Sequence, residues 1–122
     1  MLIQQHILVV AQDPFLRNTH KALLRSVGYQ VTSVGSDDLA IASVDRDRFD
    51  LILIGRTSLL ATTALDQRLR ERYPTLCILK IVPDGEADST FASRSTGPAP
   101  GQVLSAVRDL LLKQTPRTTS LR

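Results

Sequence analysis

The residues of this chain whose types do chemistry are few and thinly spread. Asp13 follows the aliphatic run Ile7, Leu8, Val9, Val10, and Asp84 follows a later run ending in Ile81 and Val82. Two carboxylates placed after strands on the same side of a sheet would suit weak binding of a hard cation. A helix cap at Asp13 and a Pro-Asp-Gly turn at Asp84 account for both without an ion. Asp50 precedes its apolar run and so belongs at the opposite end of the sheet. Arg56 and Lys80 are near the ends of two apolar runs and would make that end locally basic, suited to a small anion. His6 and His20 are not spaced as ligands with any acid or cysteine, and His20 falls on the apolar side of a helix, where a core role is expected. Cys77 is the single cysteine, which excludes an internal disulfide and a cysteine metal cluster and leaves a small buried hydrophobe. No Gly-rich phosphate loop, Ser-His-Asp set or metal-ligand spacing occurs. No enzymatic activity, cofactor or metal is expected.

The elements that position these residues come from the apolar pattern. The runs at 7–10, 51–54 and 76–82 are apolar at nearly every position, as in parallel strands covered on both faces. The stretch 29–34 alternates instead, which fits a strand nearer an edge. Between them lie helical segments. One starts at Pro14 behind Asp13, carries Leu16, His20, Leu23, Leu24 and Val27 on one side, and ends at Gly28. A second starts at Ser36, with Asp37 and Asp38 favourable to its dipole and Ile41 and Val44 facing inward. A third runs over about 58–72 and stops at Pro74, and the last covers roughly 101–113. Alternating strand and helix predict an α/β fold with a doubly wound parallel sheet of about five strands.

Between Val82 and Gly97 the pattern fails. The stretch is turn-rich and barely has room for the helix and strand such a fold would place there. A shortened fourth helix and fifth strand are expected, with 84–96 mobile. Residues 1–113 form one domain, and 114–122 read as a disordered tail or a linker.

Composition narrows the class. The chain has 122 residues, 43% hydrophobic and 22% charged, with no Trp, so its single core is aliphatic. A net charge of +3 without a recognition motif argues against nucleic acid as the partner of this domain. No apolar stretch approaches the ~20 residues that cross a bilayer, and the first residues lack the pattern of a secretion signal. A cytoplasmic location is expected.

In order and spacing these segments resemble the receiver domain of response regulators in two-component signalling, a CheY-like, flavodoxin-like fold. The resemblance rests on Ile7 to Val10 followed by Asp13 and Pro14, on Gly28 to Val31, and on Ala40, Ile41 and Val44. It extends through Phe49 and Asp50 into Leu51 to Ile54, Tyr73 and Pro74 before the third run, and Pro98 before the last helix. It implies a site built from two metal-holding acids, a phosphate-accepting aspartate, a Ser or Thr and a Lys. A carboxylate attacking an anionic phosphoryl donor needs a cation to offset the charge. In this chain the acid pair falls on Ala11 and Gln12, the acceptor on Gly55, the Ser/Thr position on Val82 and the Lys position on Gly97. All five groups are missing. The resemblance therefore implies a degenerate pseudo-receiver that signals by protein interaction without phosphorylation, with a signalling protein or output domain as partner and homodimerisation left open. The alternatives are a small-ligand or anion sensor using the vacated pocket near Arg56 and Gly97, and a phosphorelay receiver using a displaced acid, Asp13.

Overall fold

The structure is a computed structural model that describes residues 5–55, 59–81, 94–96 and 99–114. Five parallel strands make one sheet in the order β2-β1-β3-β4-β5. They are β1 (His6–Val10), β2 (Gln30–Val34), β3 (Leu51–Ile54), β4 (Ile78–Ile81) and β5 (Arg94–Thr96), joined through α1 (Pro14–Ser26), α2 (Asp37–Arg46), α3 (Leu59–Arg72) and α4 (Pro100–Gln114). This is the doubly wound parallel arrangement that the alternation predicts, in the flavodoxin-like form that the resemblance implies.

The continuous apolar runs are explained by two cores, one on each face of the sheet. Ile7, Val9, Leu51, Leu53, Leu79 and Ile81 point into a cluster shared with Leu24 of α1 and Val103, Val107 and Leu111 of α4. Leu8, Val10, Ile52, Ile54 and Ile78 point the other way, against Ala40 and Val44 of α2 and Leu65 and Leu69 of α3. Side chains of β1, β3 and β4 alternate as the pleat requires, but both faces are covered, so a polar position there needs a partner. Burying one such Leu or Ile side chain stabilises the fold by about 1.5–3 kcal/mol, an upper estimate because unfolded chains are partly compact. At the edge, β2 is only partly buried, in line with its alternating sequence.

Local signals set the helix ends. The Asp13 carboxylate accepts from the Phe15 amide at 2.9 Å and Pro14 takes the first helical position. Ser36 caps α2 through its hydroxyl, which accepts from Leu39 N at 3.2 Å, so Ser36 lies just outside the helix rather than in it. After α1 the chain reverses at Gly28, whose φ of +100° disfavours any side chain, while its amide donates to Arg25 O at 3.1 Å.

One sequence expectation needs correcting. A shortened fifth strand was expected before Gly97, and Arg94–Thr96 forms a three-residue β5, paired in parallel with Leu79–Ile81 of β4, so the expected mobile stretch 84–96 has its last three residues in the sheet. Backbone pairing places a polar segment at the sheet edge, where no apolar pattern marks it. Residues 82–93 and 115–122 lie outside the described residues, and with them the expected shortening of the fourth helix and the tail.

Candidate functional site

In an open α/β sheet the loops leaving two neighbouring strands in opposite directions part at the carboxyl edge, and ligands bind in the crevice between them. Here that switch point lies between β1, which leads away to β2, and β3, which leads away to β4. The residues just past the two strands are Ala11 and Gly55.

Ala11 is fully buried. Its amide donates to Val34 O at 3.2 Å, and the Gly55 amide donates to Val10 O at 2.7 Å, so both residues extend the sheet ladder. A β-carbon built on Gly55 would meet the Ala11 Cβ at 3.0 Å and the Val10 carbonyl at 3.3 Å. The two small residues close against each other, and the floor of the crevice holds methyl and backbone in place of carboxylates. Gln12 and Asp13 are exposed. Asp13 spends one carboxylate oxygen on the α1 cap, which bears out the capping role. Among the described residues no group of three His, Cys, Asp or Glu side chains is placed to hold a metal ion.

On the far side of Ala11 lies a contact that the sequence did not suggest. Arg17, in the first turn of α1, donates from Nη1 to Ala11 O at 2.9 Å. A β-carbon on Gly35 would come within 2.6 Å of that same nitrogen, so the missing side chain after β2 is what admits the guanidinium. A glycine following a strand was the only hint, and it is a weak one. The rim also carries two acids and a further arginine, Arg68. Asp37 and Asp38 open α2, and burial holds the Asp37 carboxyl above its ordinary pKa, with Arg68 opposing and Asp38 adding to the rise. Asp38 faces Arg68 at 3.6 Å, a well-exposed pair of little strength. Lys80 is buried on β4 beside Ile54 of β3, two strands over from β1. Val82, Gly97, Arg56 and Asp84 lie outside the described residues.

The other candidates sit elsewhere. Asp50 is at the amino end of β3, where its carboxylate accepts from His6 N at 2.8 Å. His6 also pairs with the Thr32 hydroxyl at 2.8 Å, and its ring packs against that of Phe49 with centroids 4.4 Å apart at a 47° tilt. Cys77 is buried at the same end. His20 is buried as its spacing implied, but it is not satisfied: its Nδ1 has no hydrogen-bond partner, and burial lowers its pKa. That amino end also carries an open groove of about 680 Å³ between the ends of α2 and α3, bordered by Asp45, Phe49, Tyr73 and Leu76. Asp45 holds it together, accepting from Arg72 at 2.6 Å and from the Tyr73 hydroxyl. These bonds hold the Asp45 carboxyl below its ordinary pKa. The network joins residues 27 and 28 positions apart, which no local pattern reveals.

Comparison with known proteins bears on the fold. No family model matches the sequence, and no curated protein matches it. Many solved structures do match. A CheY-like receiver domain protein of Methanospirillum hungatei superposes with a TM-score of 0.81 at 18% identity, over 94% of this chain and 99% of the other. The response regulator TrrA of Thermotoga maritima, in complex with the histidine kinase ThkA, gives 0.80 at 18% identity over 88% and 99%. A receiver domain of a Pseudomonas aeruginosa sensor histidine kinase, with a magnesium ion in its active-site cleft, gives 0.76 at 22% identity over 89% and 98%.

Proposed function

Proceeding from a chain that has the fold of CheY-like response-regulator receiver domains, we propose that it acts in two-component signal transduction as a phosphorylation-independent protein-interaction module. The observation that carries this reading is the closure of Gly55 on Ala11 at the switch point. Aligned with the family's reaction centre, that pair stands for the acceptor and one metal-holding acid, Gln12 for the other, and Val82 and Gly97 for the Ser/Thr and Lys. Phosphoryl transfer to such a site lacks its nucleophile, and a cation lacks the carboxylates that would retain it. The reading is of a binding protein rather than an enzyme, its partner a signalling protein or an output domain.

Asp13 is a poor substitute nucleophile, because its carboxylate is engaged at the α1 cap. An anion sensor is also disfavoured on the described rim, where Arg17 is turned onto the Ala11 carbonyl and Arg68 faces Asp37 and Asp38. The test is a Mg²⁺ titration followed by NMR. The amides of Ala11, Gln12 and Gly55 are expected to stay put at concentrations that saturate a receiver site. Saturable shifts centred on those three residues would overturn the reading.

A further inference from the structure

The groove of about 680 Å³ between the ends of α2 and α3 lies at the amino end of the strands, opposite Ala11 and Gly55. Small-molecule sites span about 300–1,000 Å³ and join an apolar lining to a few placed polar groups. Both parts are present here. Val44, Phe49 and Cys77 line the groove and are buried, so they form its floor, while the half-buried Tyr73 and Leu76 stand on the α3 side.

The edges of the groove are tied by directional bonds, although much of its lining is loop. Asp45 of α2 accepts from Arg72 at 2.6 Å and from the Tyr73 hydroxyl, which fixes the two helix ends to each other. Arg70 donates from Nη1 to Pro74 O and Leu76 O, both at 2.7 Å, and holds the turn between α3 and β4. Asp50 and His6 are joined twice, Asp50 N to His6 O and His6 N to the Asp50 carboxylate, each at 2.8 Å. A site held in this way loses little freedom when a ligand enters.

The charges around the groove select what it takes. Every acid is engaged: Asp45 with Arg72 and Tyr73, Asp47 with Arg46 at 3.4 Å, Asp50 on His6 N, and Glu71 with Gln67 at 3.3 Å. The carbonyl ends of α2 and α3 favour positive charge, and Arg46, Arg70 and Arg72 in the last turns already meet them. Arg48, in the turn between α2 and β3, is the exception. It lines the groove, and among the described residues its guanidinium has no hydrogen-bond or ion-pair partner. The uncommitted charge of the groove is positive, beside an apolar floor and two aromatic rings.

We infer that the groove binds a small organic anion of the aryl carboxylate class. The ring of the ligand packs on the floor at Phe49 and against Tyr73, and its carboxylate takes the paired N–H groups of Arg48. Inorganic phosphate has no apolar body with which to use the floor, and an amine meets carboxylates that are already engaged. The site is separate from the switch point, so the inference goes beyond the interaction-module reading and stands or falls without it.

The experiment titrates the isotope-labelled full chain with 2-naphthoate, with the neutral 2-naphthamide and with the cationic 2-naphthylmethylammonium, each followed by amide NMR. Naphthoate is expected to give saturable shifts centred on residues 45–50 and 73–77 that weaken as salt rises. The amide is expected to bind about tenfold more weakly, through loss of a charge-assisted bond. Arg48→Gln should bring the acid down to the level of the amide and leave the amide where it was, whereas Arg48→Lys should keep part of the difference. Unchanged strand amides in each variant show that the fold is intact. Equal affinity for acid and amide in the parent chain, tighter binding of the ammonium, shifts centred elsewhere, or no saturable shift would each overturn the assignment.

Discussion

Gly55 and Ala11 are in mutual contact: the space a Gly55 β-carbon would need is 3.0 Å from the Ala11 Cβ. The two small residues at the switch point therefore form one packing arrangement. Among the described glycines only Gly28 has a positive φ, so at Gly55 the backbone would accept a side chain and the neighbours would not.

Restoring the acceptor alone is accordingly expected to fail. Gly55→Asp should destabilise the fold by about 1–3 kcal/mol through overpacking and should not permit phosphorylation. Gly55→Ala should show most of the same steric cost. Denaturant unfolding of both variants checks this, and an Asp variant as stable as the parent would show that the crevice opens easily.

Gly28 makes the opposite case. A β-carbon there meets nothing within 4 Å, but φ is +100°. Gly28→Ala should thus cost about 1 kcal/mol from backbone conformation alone. Chemical unfolding measures it, with an unchanged slope marking an unaltered native surface.

Much of the fold was legible because both faces of the sheet are covered. Ile7 to Val10 and Leu51 to Ile54 had to be apolar throughout, and that pattern survives in one dimension. The fifth strand was expected, but its place at Arg94 to Thr96 was not marked, because an edge strand of polar residues is held by backbone pairing to β4. At the switch point, the absence of carboxylate side chains at Ala11, Gln12 and Gly55 is plain in the sequence. Their closure could not be read there, since it depends on the register that sets Val10 beside Ile54. The Arg17 and Gly35 fit was invisible for the same reason. His20 was placed correctly by helical spacing, but only the packed structure exposes its unpaired Nδ1.

That nitrogen gives a pH dependence. The folded pKa of His20 lies below its ordinary value, so the unfolded chain binds the proton more readily. Stability is full at neutral pH and falls as pH drops below about 6.5, the unperturbed imidazole value. His20→Leu, of similar volume, should raise stability and flatten this slope. Urea midpoints on either side of that pH provide the measurement, and an equally steep slope in the variant would assign the effect to another group.

Asp45 titrates in the other sense. Arg72 and Tyr73 hold its carboxyl low, so its contribution is present above the ordinary carboxylate pKa and is lost as acid protonates it. Asp45→Asn and Tyr73→Phe should each lower the melting temperature modestly at neutral pH. Combined, they should lose less than the sum, because both remove the same bond between α2 and α3. Thermal melts of the two single variants and the double check the coupling.

The claim that the scaffold signals without phosphate is met most directly by intact-mass spectrometry of the full chain after incubation with acetyl phosphate and Mg²⁺. The expected result is an unmodified mass, unchanged when Asp13 is replaced by Asn. A stoichiometric phosphoryl adduct on an aspartate would contradict the account.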